Sequence, residues 1–375
     1  MRVPIAFYAP LKSPRHPDPS GDRTMARLFM KAIEAAGFAP EVASELRTFD
    51  KHGDPARQEV LRPASLTEAE RLIADCEARP AASRPRAWFT YHLYYKAPDW
   101  MGPAVASALR VPYVVAEASR ASKRAGGRWA LGHAGTEAAL ARADTVLAMT
   151  ALDRAALERN RPARQRLIDF PPFIDLDEWP RDALRLPERR GPVRLLTVAM
   201  MRSGDKLASY RLLAEALRQL ERNDWQLDIV GDGDARAEVE GLFAPFGDRV
   251  ALHGRIEDRR PLSRLYTAAD LFVWPAVNEA YGMALLEAQA HACPVVAGAY
   301  GGVASVVEAG RTGILTVPGD VAGFAAAVSS LMADGRRREA LCKRARAFVR
   351  EERSLVQAAM RLRAVLAPEP ARAPA

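Results

Sequence analysis

The chain has 375 residues, of which 49% are hydrophobic and 27% are charged, and its formal net charge is +8. This composition excludes a largely disordered chain, and the length predicts two domains, because one domain usually has roughly 100–200 residues. The positive charge is concentrated in residues 1–172, with 26 Lys and Arg against 19 Asp and Glu. This surplus favours either an anionic partner, such as anionic lipid or acidic glycan, or an Arg-rich surface that has no partner. We expect no nucleic-acid partner, because the sequence contains no nucleic-acid-binding motif.

Cysteine content and hydropathy bear on the cell compartment. Cys76, Cys293 and Cys342 are few, widely spaced and odd in number, which favours a reducing compartment over a disulfide framework. The opening MRVPIAFYAP indicates a strand rather than a signal peptide, and no run reaches the roughly 18–20 apolar residues of a membrane span. We therefore expect a cytoplasmic protein, with peripheral contact to anionic lipid on the inner face of the cell membrane as a further hypothesis.

Short apolar runs alternate with helical segments along the first half of the chain. A helix is predicted at 22–37, since it begins with an acid and ends at a glycine. The segment 169–192 breaks the alternation with five prolines and many charges, and the interdomain linker is placed at 173–192. The strands predicted before it are 3–9, 87–93, 112–117 and 145–150.

The same alternation continues in the second half. Its predicted strands are 193–200, 226–231, 249–254, 271–276, 294–298 and 313–317. Its predicted helices are 207–222, 234–243, 262–269, 282–292, 321–334 and, within 335–366, the C-terminal helices. Apolar strands that alternate with helices are typical of parallel sheets covered on both faces.

We therefore expect an α/β protein with two doubly wound, Rossmann-like domains that face a cleft. The domains are placed at 1–172 and 193–350. Residues 351–375 are predicted to form a C-terminal helix and a frayed tail, and packing of this segment back on the N-terminal domain is one hypothesis. In such sheets ligands bind beyond the carboxyl ends of the strands.

The stretch NEAYGMALLEAQAHACPVVAG (278–298) contains two acids in otherwise apolar surroundings. Glu279 falls in the loop after a predicted strand, and Glu287 falls in the next helix. The start of that helix offers free backbone N–H groups, which attract phosphate; they belong to Tyr281, Gly282, Met283 and Ala284. The alternative is that Glu279 is an ordinary charge at a helix N-terminus and Glu287 lies on a solvated face.

Cations and glycines follow other predicted strands. Arg202 and Lys206 lie in the polar loop after 193–200, where they would face the cleft and bind diphosphate oxygens, unless they are routine surface charges. Gly231 begins a glycine turn between a strand and a helix, which has the character of a phosphate loop. Gly301 and Gly302 form a similar turn further on.

Four segments in chain order together resemble the C-terminal domain of a family 4 glycosyltransferase of the GT-B fold. They are LLTVAMMRSGDK, LDIVGDGDARAEVEGL, the run from VALHGRIEDRR to PVVAG, and YGGVASVVEAGRTGILTVPGD. The resemblance covers residues 193–334, and the two glutamates with seven residues between them are its most specific part. The first half resembles the family more weakly, in PSGDRTMARLF, PYVVAEASRA, ADTVLAMT and PPFIDLDEW.

This resemblance implies a retaining enzyme that moves a sugar from a nucleoside diphosphate sugar to an acceptor. The C-terminal domain would hold the donor, and the N-terminal domain would mostly bind the acceptor. Glu287 would bind the ribose hydroxyls, and Glu279 would contact the donor sugar near its reacting carbon. Arg202 and Lys206 would neutralise the diphosphate as it departs.

The resemblance also assigns roles outside that stretch. Gly21, in the turn before the first helix, would approach the diphosphate from the N-terminal domain. The nucleotide base would lie near 252–257, which contains Gly254 and Arg255. No metal or other cofactor is implied, because a helix N-terminus and cations would meet the phosphate charge.

Some positions depart from the family pattern. Met200 and Met201 intervene before Arg202, and Ala280 replaces the usual glycine after the first glutamate. After PYVV, where relatives often have a histidine that contacts the donor sugar, this chain has Glu117, which is a candidate donor-binding residue or, alternatively, a structural one. His92 is the candidate for that catalytic role; the alternative is a core or loop histidine.

The leading hypothesis is a retaining glycosyltransferase that uses a UDP- or GDP-sugar and a glycan or lipid-linked acceptor in cell-surface polysaccharide synthesis. The alternatives are a nucleotide-sugar epimerase or phosphorylase of the same fold, and a non-catalytic scaffold that binds a nucleotide sugar. The sequence leaves the sugar, the base, the acceptor and the oligomeric state open. It also leaves open whether Glu279 is a nucleophile or an electrostatic stabiliser.

Overall fold

A computed structural model describes residues 2–18, 20–180 and 191–367. The chain divides into two units, of which unit 1 is Met1–Pro171 with Leu355–Ala375 and unit 2 is Pro172–Ser354. Each unit contains a six-stranded sheet in which every strand pairs in parallel with its neighbours. The predicted α/β class with parallel sheets is therefore confirmed.

The sheet of unit 1 has the order β2-β1-β3-β4-β5-β6. Its strands are β1 (Val3–Tyr8), β2 (Phe38–Ser44), β3 (Trp88–Leu93), β4 (Tyr113–Ala118), β5 (Thr145–Ala148) and β6 (Arg166–Asp169). The helices between them are α1 (Gly21–Ala35), α2 (Pro55–Ala78), α3 (Gly102–Ala108), α4 (Ala130–Arg142) and α5 (Ala151–Glu158).

The sheet of unit 2 has the order β12-β11-β10-β7-β8-β9. Its strands are β7 (Val193–Val198), β8 (Trp225–Val230), β9 (Val250–Leu252), β10 (Leu271–Trp274), β11 (Val295–Gly298) and β12 (Gly313–Thr316). Its helices are α6 (Asp205–Arg218), α7 (Arg236–Phe243), α8 (Arg259–Ala268), α9 (Met283–Ala290), α10 (Val321–Ala333) and α11 (Gly335–Glu352).

Several elements of unit 1 were not predicted from the sequence. They are β2, β6 and helices α2 to α5. β2 contains Pro40, which removes a backbone donor, and the strand tolerates it because β2 is at the edge of the sheet. α2 continues through Pro63. Several predicted strands were also too long, since β7 ends at Val198 and β10 at Trp274.

The segment predicted as a linker is described only in part. Phe173, Ile174 and Trp179 are buried and belong to unit 2, where the N–H of Ile174 donates to Arg353 O at 2.8 Å. Residues 181–190 of that segment lie outside the described residues. After α11, helix α12 (Leu355–Leu366) belongs to unit 1 and packs against α1. The predicted tail at 368–375 lies outside the described residues.

A buried carboxylate organises the centre of unit 1. Asp99 is fully buried, and its Oδ2 accepts hydrogen bonds from Trp88 Nε1 (3.2 Å), Thr90 Oγ1 (2.5 Å) and Tyr113 Oη (2.8 Å). Its Oδ1 accepts from two backbone N–H groups, those of Met101 and Gly102. These bonds tie β3 and β4 to the start of α3, so one side chain fixes three elements.

We expect Asp99→Ala to lower the free energy of unfolding by about 3–5 kcal/mol, because it leaves several buried donors without their acceptor. Urea unfolding followed by circular dichroism measures the loss. Asp248→Ala is the matched control, since Asp248 is exposed, and it should change stability by less than about 0.5 kcal/mol. A similar small loss for both variants would contradict the role of Asp99.

Candidate functional site

The loop after β10 has an unusual backbone that α6 holds in place. Ala276 and Asn278 have φ values of 59° and 47°, which non-glycine residues rarely adopt. The N–H of Val277 donates to Ser209 Oγ at 2.9 Å, and Asn278 Nδ2 donates to Asp205 Oδ1 at 2.9 Å. Both acceptors lie in the first part of α6. The strained loop is therefore fixed to the helix that carries Lys206.

Glu279 lies in this loop and forms an ion pair with Lys206. The Lys206 ammonium donates to Glu279 Oε2, and Trp274 Nε1 donates to the same oxygen at 3.3 Å. The ammonium also lies 5.6 Å from the centre of the Trp274 ring. The side chains of Glu279 and Lys206 are only 16% and 25% exposed. The two residues that the sequence placed on the diphosphate and the sugar thus lie together at the carboxyl end of β10.

Arg202 lies in the loop between β7 and α6, two residues beyond the expected position. It is exposed, whereas the preceding Met201 is buried and exchanges backbone hydrogen bonds with the turn after β8. Hydrogen bonds from Ser203, with a smaller contribution from the Arg202 charge, lower the pKa of Asp234. The two methionines therefore extend the loop, and the charged Arg202 side chain lies at the surface.

Gly231 has a packing role in this structure. Its φ is 154°, and a Cβ atom there would lie 1.9 Å from the carbonyl oxygen of Ala199. Its N–H donates to Gly254 O at 2.9 Å. The glycine is thus required where the loops after β7, β8 and β9 meet. Its predicted contact with the donor stays a prediction.

The residues predicted near the base follow β9, the edge strand of unit 2. Gly254 has a φ of 67°. Arg255 is exposed and pairs with Glu257 at 2.8 Å. The neighbouring His253 contacts Asp228 Oδ1 through Nε2 at 2.6 Å. β9, β8 and β7 pair in parallel in this order. The segment after β9 and the loop that carries Arg202 therefore both follow the carboxyl ends of the strands.

Glu287 does not lie on a solvated face of α9, so that alternative is wrong. Its side chain is 20% exposed, and Tyr266 Oη donates to Oε2 at 2.8 Å. Arg259 Nη1 lies 4.0 Å from Oε1, while Nη2 of the same residue donates to Glu178 at 2.6 Å. The Arg259 guanidinium stacks 4.4 Å from the centre of the Trp179 ring. Burial raises the pKa of the Glu287 carboxyl, and Tyr266 and Arg259 offset part of that effect.

The helix N-terminus between the two glutamates begins at Met283, one residue later than predicted. Gly282 precedes it in a left-handed conformation, with φ 77° and ψ 83°. Within the described part of the chain, no side chain caps this end. Tyr281 is 8% exposed, and Ala284 is in the first turn. The N-terminus is therefore formed as expected, while its binding of phosphate stays a prediction.

In unit 1, His92 and Glu117 lie at the carboxyl ends of neighbouring strands. His92 is near the end of β3 with a φ of 63°, and Glu117 is near the end of β4 with a φ of 54°. His92 Nδ1 lies 3.1 Å from Asp22 Oδ1 and 3.8 Å from Glu117 Oε1. His92 is therefore not an isolated core histidine, since two carboxylates meet one of its ring nitrogens.

These carboxylates set the protonation of the cluster. Burial alone would lower the pKa of His92, but Glu117, Asp22 and Asp153 together raise it above its usual value. Burial raises the pKa of Asp153. Asp153 was missed in the sequence, although Thr150 and Asp153 have the spacing of a helix cap, and the N–H of Asp153 donates to Thr150 Oγ1 at 3.0 Å.

Gly21 is the first residue of α1 and directly precedes Asp22. Ser20 caps the helix by accepting from Arg23 N at 3.2 Å. Apart from its two chain neighbours and the backbone of its own helix, no described residue has an atom within 4 Å of the position that a Cβ atom of Gly21 would take. Open space at this helix start allows close approach of a ligand, and the predicted diphosphate contact stays a prediction.

The described residues form neither a metal-ligand cluster nor a membrane-crossing helix. They contain no group of three or more His, Cys, Asp and Glu side chains placed to hold a metal ion. None of the helices in residues 2–18, 20–180 and 191–367 combines the length and apolar character that a membrane crossing requires.

Two six-stranded parallel sheets with flanking helices are the architecture of GT-B glycosyltransferases, and solved structures match it along nearly the whole chain. Sucrose-phosphate synthase from Thermosynechococcus elongatus has a TM-score of 0.71 at 23% identity, over 97% of this chain and 98% of that one. HepE from Anabaena, solved in complex with UDP, has a TM-score of 0.70 at 17% identity, over 98% and 99%. This similarity confirms the predicted GT-B fold class.

Residues 192–334 match the model of the family described as glycosyl transferases group 1. This segment contains Lys206, Glu279 and Glu287, and the match confirms the glycosyltransferase resemblance for it. The D-inositol 3-phosphate glycosyltransferase of Xylanimonas cellulosilytica is 34% identical over 231 residues, which are 58% of this chain and 55% of that protein. The chain thus spans about half the length of such curated relatives.

We expect the stability that His92 contributes to depend on pH. A group with a raised pKa in the folded state stabilises the fold fully below its unfolded pKa of about 6.5, and this contribution is lost as pH rises through the folded pKa. The difference in unfolding free energy between wild type and His92→Gln should therefore shrink from pH 6 to pH 9 in urea titrations. The exposed His52, replaced by Gln, is the control. A difference that is constant across this range would refute the expectation.

Proposed function

We propose that the protein is a retaining glycosyltransferase that moves a sugar from a UDP- or GDP-sugar to a glycan or lipid-linked acceptor in cell-surface polysaccharide synthesis. The observation that carries the proposal is the shielded Lys206–Glu279 pair at the carboxyl end of β10, within the segment of the glycosyl transferases group 1 family. A cation and a carboxylate at this position suit the diphosphate and the hydroxyls of a sugar donor. The complexes of HepE with UDP and with UDP-glucose support the choice of a UDP-sugar among the two donors.

In this reaction, the bond between the anomeric carbon and the diphosphate oxygen breaks, and that oxygen keeps the electron pair. The acceptor hydroxyl forms the new bond to the same carbon, and its proton passes to the departing diphosphate. The diphosphate gains charge as it leaves, so preorganised cations lower the barrier. Lys206 and Arg202, with the N-terminus of α9, are proposed to supply that stabilisation. A metal ion is not part of the proposal.

Glu279 is proposed to position and stabilise the donor sugar rather than attack it. Lys206 and Trp274 both donate to Oε2, which lowers the nucleophilicity of the carboxylate. Oε1 is then the oxygen left, among the described residues, to accept from a sugar hydroxyl. Glu287 is proposed to accept hydrogen bonds from the ribose, because Tyr266 orients its carboxylate without neutralising it.

Donor binding is tested by thermal shift with UDP, GDP and their glucose and mannose conjugates. We expect at least one of them to raise the melting temperature, and Glu287→Ala to weaken its binding by about ten- to a hundredfold, because hydrogen bonds to a charged acceptor are lost. Glu287→Gln keeps the side-chain volume, and its donor affinity should lie between those of wild type and Glu287→Ala. Glu221→Ala is the matched control on an exposed glutamate of unit 2 and should bind as wild type.

If neither the uridine nor the guanosine compounds raised the melting temperature, the proposal would be contradicted. Donor binding without release of nucleoside diphosphate, over a panel of glycan and lipid acceptors, would instead support a non-catalytic scaffold. An epimerised sugar formed from the donor alone would support an epimerase.

The stereochemical outcome is a separate prediction. With a donor that carries an α-linked sugar, we expect an α-linked product, because the proposal places acceptor attack on the face from which the diphosphate leaves. Proton NMR of the anomeric signal during the first turnovers measures this directly. An initial β-linked product would show inversion and would remove the retaining mechanism while leaving transferase activity intact.

A further inference from the structure

Unit 1 contains a cluster of rings and cations close to His92, which we name the aromatic shelf; it comprises Tyr94, Tyr95, Lys96, Arg124 and Trp129. Tyr95 lies edge-on to Tyr94 and to Trp129, with ring centres 5.6 Å and 5.1 Å apart. Lys96 Nζ lies 5.8 Å from the centre of the Tyr95 ring and 5.4 Å from that of Trp129. The Arg124 guanidinium lies 5.5 Å from the Tyr95 ring. Two cations thus share one ring.

The aromatic shelf is continuous with the titratable cluster around His92. The rings of His92 and Tyr94 have centres 4.9 Å apart, so the line of rings runs from His92 to Trp129. A ligand that lies on Tyr94 and Tyr95 would therefore extend toward the imidazole. A tyrosine ring has a large apolar face and a polar hydroxyl, which suits contact with a sugar or polyol ring, and the buried Trp129 packs against Tyr95.

In the part of the chain that the structure describes, the two cations of the aromatic shelf have no carboxylate partner. Within the described residues, neither Lys96 nor Arg124 pairs with a carboxylate, and Arg124 Nε is buried without a hydrogen-bond partner. Arg120, nearby in sequence, shows the contrast, because it donates to Glu137 at 2.6 Å. A partly buried cation without an anion costs free energy, which an anionic ligand would recover.

The aromatic shelf is held rigidly from behind. The N–H of Asp50 donates to Lys96 O at 2.8 Å, and the Asp50 carboxylate accepts from Gln58 Nε2 at 2.8 Å. Gln58 also donates to Arg128 O at 2.9 Å and accepts from Gly132 N at 3.0 Å. These bonds connect the turn that carries Lys96 to the residues on either side of Trp129. The backbone that carries Lys96 and the segment around Trp129 are therefore held in place, which reduces the cost of binding a ligand.

We propose that the aromatic shelf binds a phosphate monoester on the acceptor, with Lys96 and Arg124 on the phosphate and the tyrosine rings against the sugar or polyol. A phosphate monoester carries a charge of about −1.5 to −2 at pH 7, which matches two unpaired cations better than the single charge of a carboxylate or a phosphodiester. The assignment of this ligand as the acceptor rests on the proposed function; the phosphate site itself does not. The phosphate has two potential sources, a soluble sugar or polyol phosphate and a lipid phosphate.

Binding of D-inositol 3-phosphate, compared with inositol, tests the site by isothermal titration calorimetry on the full chain. We expect the phosphate ester to bind and inositol not to bind, with affinity falling as salt is added. Lys96→Gln and Arg124→Gln should each weaken binding by about tenfold, because each removes one charge-assisted contact. Arg62→Gln, on an exposed arginine of α2, is the matched control and should bind as wild type.

Vesicles of phosphatidylcholine with and without phosphatidic acid identify the source. Binding of the soluble ester that is sensitive to both variants supports a sugar or polyol phosphate. Binding to phosphatidic acid vesicles alone, with the same sensitivity, supports a lipid phosphate. Equal affinity for inositol and its phosphate, preference for glucuronate, no binding of any phosphate probe, or unchanged affinity in Lys96→Gln and Arg124→Gln would each overturn the proposal.

Donor binding separates this inference from the proposed function. The nucleotide that shifts wild type should shift Lys96→Gln and Arg124→Gln equally, because neither residue belongs to unit 2. Phosphate-ester binding without any nucleotide binding would contradict the proposed transferase while leaving the site in place. Nucleotide binding without phosphate-ester binding would overturn the phosphate site while leaving the proposed transferase in place.

Discussion

In both units the strands pair in parallel, so all their carboxyl ends lie at one edge of each sheet and their loops emerge there together. In unit 1 this brings His92 and Glu117, which are distant in sequence, next to each other at the ends of β3 and β4. In unit 2 it places Glu279 after β10 beside the helix that follows β7, because β10 and β7 are neighbours in the sheet. Strand order, more than sequence proximity, therefore determines which charged groups meet.

Backbone strain concentrates at the same edges. His92, Glu117, Ala276 and Asn278 all have positive φ, a conformation that costs about 1–3 kcal/mol for each non-glycine residue. The surrounding structure holds these residues there, through the ion pairs of His92 and through the bonds from Ser209 and Asp205 to the β10 loop. Strained backbone at the carboxyl ends of strands, next to charged side chains such as His92 and Glu279, is more typical of a binding site than of a purely structural loop.

The sequence predicted the strands and helices better than it predicted the contacts between side chains. β3, β4 and β7 are largely buried on both faces and are visible as predominantly apolar segments. β2 could not be found this way, because Pro40 and Glu41 interrupt its pattern, and α2 carries Pro63 inside a helix of mixed polarity.

The same limit applies to the candidate sites. The spacing of Glu279 and Glu287 correctly predicted one acid in the loop and one in the helix, because local periodicity determines that placement. It did not predict Tyr266 or Arg259 as partners of Glu287, or Asp153 near His92. Those contacts depend on how α8 packs on α9 and on how β5 lies beside β4, which are long-range features without a local signal.

Glu279 and Glu287 of unit 2 differ in how neighbouring groups compensate their negative charge. This difference affects what each carboxylate can bind. Glu279 shares one oxygen with the Lys206 ammonium, so the pair is close to neutral and can sit beside an anion without strong repulsion. Glu287 is met mainly by the neutral Tyr266 hydroxyl, with Arg259 4.0 Å away and also bonded to Glu178. Its charge is less compensated, and burial raises its pKa. Such a carboxylate would repel phosphate but would accept strongly from hydroxyl donors. A nucleotide sugar offers both kinds of group, which is consistent with the proposal of a diphosphate beside Lys206 and a ribose beside Glu287.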